Sequence, residues 1–116
     1  MDTLGEAKLL RIFIGEKDRC EGLPLYEYLV RQAREQGLAG ATVLRGIEGY
    51  GASSRMHTAR ILRLSEDLPI VIEIADKEER ITPFVAQLQD IFDRAGCGGM
   101  ATMEKVDVLL LRPPKS

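Results

Sequence analysis

The sequence predicts an α+β fold in which two β-α-β halves share one antiparallel sheet and both helices cover a single face. Three observations lead there. Ile70, Ile72 and Ile74 alternate with Val71, Glu73 and Ala75, the period-two spacing of a strand. Ile81, Phe84, Val85, Leu88, Ile91 and Phe92 recur three and four residues apart, the stripe of an amphipathic helix over 77–95. A shorter stripe of Leu25, Leu29 and Ala33, with Val30 beside it, gives an earlier helix between Pro24 and Gly37.

In chain order, the run LLRIFIG over 9–15 is β-branched, aromatic and too short for a helix, so it reads as the first strand. Pro24 suits the opening turn of the helix over 25–36, where its missing N–H costs nothing, and Gly37 suits the left-handed position just past the end. ATVLRGI over 41–47 is the second strand and 70–75 the third. Glu78 and Glu79 place negative charge in the first turn of the second helix, where it is favourable. VDVLLL over 106–111 is the last strand, with a start as early as Met100 also compatible with the pattern. Two β-α-β halves most economically form the ferredoxin-like β-α-β-β-α-β arrangement.

Composition narrows the function. A chain of 116 residues fits one domain over 1–116, with 113–116 as a frayed end. Apolar residues at 45% and charged residues at 29% exclude intrinsic disorder. A net charge of −2 disfavours a general nucleic-acid binder, which is basic over much of its surface. The chain has no apolar run of the roughly 18–20 residues that span a bilayer, and its start lacks the order of a signal peptide. A cytoplasmic protein without direct membrane insertion is expected. Two cysteines, Cys20 and Cys97, without C-x-x-C spacing suggest neither a disulfide scaffold nor a zinc ribbon.

One feature breaks the economy of this plan. The second and third strands are hairpin neighbours, yet 48–67 separates them, far beyond the usual connection of about 2–5 residues. A functional loop is the favoured reading. A ribbon that extends both strands, supported by Ile61, Leu62 and Leu64, is the alternative. Over 45–64 stand Arg45, Arg55, Arg60, Arg63 and the sole histidine, His57, against one acid, Glu48. Guanidinium groups make paired, charge-assisted bonds to phosphate or carboxylate, so this excess suits an anion; a solvated arm paired with Glu66, Asp67 or a neighbouring subunit suits it equally. Gly46, Gly49 and Gly51 open the connection, and Gly96, Gly98 and Gly99 separate the second helix from the last strand. Successive glycine amides can form an anion-binding nest, although Gly96 by itself reads as a helix C-cap. Enzyme signatures are absent: Ser53, Ser54 and His57 lack the nucleophile elbow and an orienting third group, one histidine with two distant cysteines is no zinc set, and no acidic pair stands out. Cys97 among glycines reads as a small buried apolar residue before it reads as a reactive thiol.

Gly40-Ala41-Thr42-Val43 followed by Gly49-Tyr50-Gly51 resembles the P-II signalling proteins, which read G-[MA]-T-V and G-[FY]-G at these places. The stretch over 49–76 is similar to an uncharacterised P-II-like family, a domain of unknown function. The resemblance implies a homotrimer of ferredoxin-like subunits, not an enzyme, that binds an adenine nucleotide in clefts between subunits. It implies a long T-loop that engages a membrane transporter or enzyme. By position, Thr42, Gly49 and Tyr50 fall at the cleft wall and loop root, Arg55, His57 and Arg60 within the T-loop, and Gly96, Gly98 and Gly99 in the phosphate-cradling B-loop. Met100-Ala101-Thr102 stands where P-II proteins carry a lysine, and Arg112 is the nearest match to their C-terminal arginine pair. AMP or ADP, with Mg²⁺ as an optional companion and no covalent cofactor, is therefore favoured over a triphosphate. The alternative is a metal- or anion-responsive trimer of the copper-tolerance type that uses His57.

Overall fold

The computed structural model describes residues 5–50, 57–58 and 67–115. In chain order these give β1 (Gly5–Gly15), β2 (Arg19–Cys20), β3 (Leu23–Pro24), α1 (Leu25–Glu35), β4 (Thr42–Arg45), β5 (Glu48–Gly49), β6 (His57–Thr58), β7 (Pro69–Asp76), α2 (Glu78–Ala95) and β8 (Met100–Val108). The main sheet runs β4-β7-β1-β8 with every neighbouring pair antiparallel. This is the expected ferredoxin-like order, with the last strand beside the first and the second on the far edge.

The periodicities translate directly into packing. Leu10, Ile12 and Ile14 of β1 and Ile70, Ile72 and Ile74 of β7 are buried on one sheet face. Leu25, Leu29 and Ala33 of α1 and Ile81, Phe84, Leu88 and Ile91 of α2 close over them in one core cluster. The opposite face carries Leu9, Arg11 and Phe13 of β1, all partly exposed. Gly37 and Gly96 end the helices with φ of +78° and +67°, the left-handed backbone that glycine adopts without a Cβ penalty.

Two elements differ from expectation. The hairpin β2–β3 was not legible in advance; it turns through Glu21 and Gly22, both at positive φ. The last strand covers Met100–Val108, which takes the early start at Met100 that the pattern allowed but stops short of the expected Leu111. Its register begins with Phe13 opposite Met100 and ends with Gly5, the first residue of β1, opposite Val108. Leu109 and Leu110 lie past that register and stand 81% and 63% exposed. A hydrophobic run marks a wish for burial, whereas a strand needs a partner with free backbone groups.

Candidate functional site

One end of the sheet gathers the root of the long connection. Arg45 closes β4 opposite Ile70, and the Gly46 amide donates to the Pro69 carbonyl at 2.7 Å. A Cβ on Gly46 would stand 2.8 Å from Pro69 Cγ, so glycine is needed for this close approach. Beyond it, Glu48 and Gly49 pair with Thr58 and His57, so part of the connection is a short ribbon. Tyr50 follows, 68% exposed. Arg55 and Arg60, like Ser53, Ser54, Ile61, Leu62 and Leu64, lie outside the described residues.

The end of β1 buttresses this root. The Glu16 amide donates to the Leu68 carbonyl and the Lys17 amide to Asp67 Oδ1, both at 2.8 Å. Arg45 Nη2 donates to Glu16 Oε2 at 2.5 Å, which ties the loop root to the neighbouring turn. Asp18 accepts from the Gly15 amide at 2.8 Å. Burial pushes the Asp18 carboxyl up, and the nearby Asp67 adds to that shift against the opposing Gly15 hydrogen bond.

The second glycine set lies at the same end, on the opposite edge. Phe13 faces Met100, so the 96–99 turn sits beside the end of β1. Strands are spaced about 4.8 Å apart, which puts β4 and β8 roughly 14 Å from each other across the sheet. The Gly96 amide is engaged as a cap, donating to the Phe92 carbonyl at 2.9 Å and the Asp93 carbonyl at 3.2 Å, and the Cys97 amide donates to Phe92 at 3.3 Å. The Gly98 and Gly99 amides have no such bond among the described residues. Gly99 also packs tightly, since a Cβ there would meet the Phe13 carbonyl oxygen and Phe92 Cε2, each at 2.8 Å.

Cys97 turns its side chain toward the core cluster that contains Cys20. Burial, with smaller contributions from Asp18 and Cys20, pushes its thiol up to about 11. At pH 8 only about one thiol in a thousand is thiolate by that value, so alkylation of the folded protein by iodoacetamide is expected to be slow. The rate should climb about tenfold per pH unit toward pH 11. Modification at pH 8 as fast as a free thiol, read by mass spectrometry, would show that Cys97 is instead an activated nucleophile.

Thr42 lies halfway along the sheet, not at its glycine-rich end. It pairs with Glu73. Both line an open groove of about 420 Å³ with Gly40, Ala41, Leu9, Ala75 and, from the far side, Val108 and Leu111. Glu73 Oε2 accepts from Arg11 Nε at 3.0 Å, and Arg11 Nη1 also donates to Glu104. The groove wall is held by Asp76, which is 1% exposed. Its Oδ2 accepts from the Ala39 amide at 2.9 Å and Arg80 Nε at 3.1 Å, and its Oδ1 from the Lys77 amide at 2.7 Å.

Glu73, Arg11 and Asp76 escaped the sequence reading. The alternation of 70–75 was the available signal for Glu73, because a charge inside a strand on the helix-free side asks for a partner. The partners themselves are long-range and carry no local mark. Within one chain the structure brings the loop root and the glycine turn to one sheet end while leaving Thr42 beside the groove. Among the described residues no group of three or more His, Cys, Asp or Glu side chains is placed to hold a metal ion, and no helix is long and apolar enough to cross a membrane.

Residues 7–108 match the family DUF190, described as "Uncharacterized ACR". A UPF0166 protein of Aquifex aeolicus is 41% identical over 104 residues, covering 90% of this chain and 94% of that one. The fold is similar to that of CPII from Thiomonas intermedia K12, a nitrogen regulatory PII-like protein bound to ADP, AMP and bicarbonate. That likeness has a TM-score of 0.67 at 20% identity and covers 93% and 91% of the two chains. It is also similar to a putative PII-like signaling protein of Thermus thermophilus, with a TM-score of 0.64 at 23% identity over 93% of each chain.

Proposed function

Since the chain belongs to the DUF190 family, an uncharacterised family with the PII-like fold, we propose that it is a non-enzymatic adenine-nucleotide sensor, assembled as a trimer, that signals through the connection between β4 and β7. The observation that carries this reading is the placement of Gly46 and Gly49 at the loop root and of the 96–99 turn. They share one end of the sheet but occupy opposite edges, so neither alone encloses a ligand, and a second copy laid edge to edge joins one copy's loop root to its neighbour's glycine turn. The Gly98 and Gly99 amides supply donors for a phosphate, and Arg55, His57 and Arg60 bring positive charge from the loop. In the groove, Glu73 offers a carboxylate acceptor, which suits the exocyclic amino group of adenine and not the oxygen guanine carries there, and Thr42 adds a hydroxyl that can donate or accept.

Signalling follows from differential order. A nucleotide that binds only when the loop arginines fold over its phosphates shifts the loop population, and a transporter or enzyme reads the difference. A mono- or diphosphate is the best fit, because Met100-Ala101-Thr102 follows the glycines where a lysine would otherwise hold further charge.

Isothermal titration with AMP, ADP, ATP and cyclic AMP, with and without Mg²⁺, tests this. Saturable binding at one site per chain is expected, with AMP or ADP preferred and adenine selected over guanine. Arg55→Ala and Arg60→Ala should each weaken binding by roughly 1.5–3 kcal/mol, the worth of a hydrogen bond to a charged group. Absence of heat with every nucleotide on folded protein would overturn the reading. Unchanged affinity in both variants would remove those two arginines from the site.

A further inference from the structure

Register lines up Thr42, Glu73, Arg11 and Thr102 in one row across all four strands, on the sheet face turned away from the helices. The next row toward the loop root, Leu44, Val71, Phe13 and Met100, is wholly apolar. A carboxylate beside such neighbours needs a cation, and Glu73 has one: its Oε2 accepts from Arg11 Nε at 3.0 Å. Arg11 is anchored a second time, by Nη1 to Glu104, which stands opposite Leu9 in the row on the other side. The guanidinium is planar, so two anchors fix its orientation, and a fixed Nε holds Oε2 in place. Among the described residues no other donor reaches Glu73, which leaves Oε1 for a ligand in the groove that Glu73 and Thr42 line.

We infer that Arg11 is a positioning residue for the nucleobase: held by Glu104, it pins Glu73 Oε2, presents Oε1 to the exocyclic amino group and so sets the preference for adenine. The inference rests on the nucleotide reading above and adds to it a residue that tunes base choice through Glu73. Two costs of recognition would otherwise fall on Glu73. A glutamate loses rotamer freedom when a ligand fixes it, and Arg11 has already removed that freedom. A base that covers the carboxylate also strips its water, and the adjacent guanidinium offsets the lost solvation. Both effects act where Glu73 meets the amino group, so they change base choice and leave phosphate binding alone.

Isothermal titration with ADP and with purine riboside diphosphate, which is ADP without the 6-amino group, reads this as a ratio of two affinities. In Arg11→Gln the ratio should fall about tenfold, the lower end for a hydrogen bond to a charged group, while the affinity for purine riboside diphosphate stays within about twofold. In Glu73→Ala it should fall at least as far, and adding Arg11→Gln to that variant should change it no further, since Arg11 acts through Glu73. Glu104→Ala, which releases one anchor, should lower it about threefold. Should Arg11→Gln fail to fold, Glu104→Ala decides, because that side chain is 57% exposed on an edge strand. An unchanged ratio in folded Arg11→Gln or in Glu104→Ala overturns the inference, as does a loss shared equally by both ligands, which would make Arg11 a support of the fold alone. Wild type that takes ADP no better than purine riboside diphosphate also overturns it and leaves the nucleotide reading intact. Wild type that gives no heat with either ligand defeats that reading, and the inference with it.

Discussion

Asp76→Ala is expected to destabilise the protein by about 2–4 kcal/mol and to weaken nucleotide binding as well. The carboxylate sits at the end of β7, on the helix side of the sheet, with almost no exposure. It accepts from the amides of Ala39 and Lys77, which belong to segments far apart in the chain, and from the Arg80 guanidinium. Truncation leaves two amides without an acceptor, each costing about 1–3 kcal/mol where water cannot reach. The Arg80 pair adds less, because that side chain is half exposed and its attraction is screened. The functional consequence follows from position. Ala39 begins the groove wall that continues through Gly40, Ala41 and Thr42, so loosening its amide loosens the wall. Asp76→Asn keeps the shape and one acceptor oxygen and should cost about half as much. Urea unfolding measures both variants. A loss below about 1 kcal/mol for Asp76→Ala would mean that the neighbouring backbone finds other acceptors.

The helices and inner strands of this chain are legible because each is a periodic apolar pattern serving one core. Ile70, Ile72 and Ile74 alternate, Ile81 to Phe92 repeat at helical spacing, and both patterns converge on the same cluster. Glycine carries local information too: the ends of both helices follow from Gly37 and Gly96. What local pattern does not carry is partnership. The last strand was expected to run to Leu111, with Met100 as its earliest start, because VDVLLL is the most apolar run near that end, whereas pairing with β1 selects Met100–Val108. β8 is an edge strand whose side chains are largely exposed, so its alternation is faint.

The same limit governs the candidate site. Thr42, Gly49, Tyr50 and the glycines of 96–99 carry recognisable spacing, and the structure adds where they stand relative to one another. The Arg11 pairs with Glu73 and Glu104 join residues 62 and 93 positions apart. No window of sequence contains both halves, and only the strand order β4-β7-β1-β8 brings them side by side. Asp76 is hidden for the same reason. Before a β7–α2 junction an aspartate reads as a helix cap, yet its main work is to hold the distant Ala39 amide.

Gly99→Ala should lower nucleotide affinity by about a hundredfold while costing about 1–3 kcal/mol of stability. The reason is steric and specific to this position. The added methyl would lie 2.8 Å from the Phe13 carbonyl oxygen, which belongs to the central ladder, and 2.8 Å from the ring of Phe92. The ladder cannot yield without breaking the pairing of β1 with β8, and the ring packs against the core cluster. The turn must therefore move, and with it the Gly98 and Gly99 amides proposed to receive phosphate. Gly96→Ala is the matched comparison. Its Cβ enters open space, but the backbone is left-handed at φ +67°, so the change costs about 1 kcal/mol in strain and leaves the donors in place. Calorimetric titration of both variants with ADP, beside their unfolding curves, separates the two effects. If Gly99→Ala loses stability but retains wild-type affinity, the turn is only a packing element and the phosphate lies elsewhere. If Gly96→Ala loses affinity as severely as Gly99→Ala, the whole turn acts through its overall conformation, and the two amides have no privileged role.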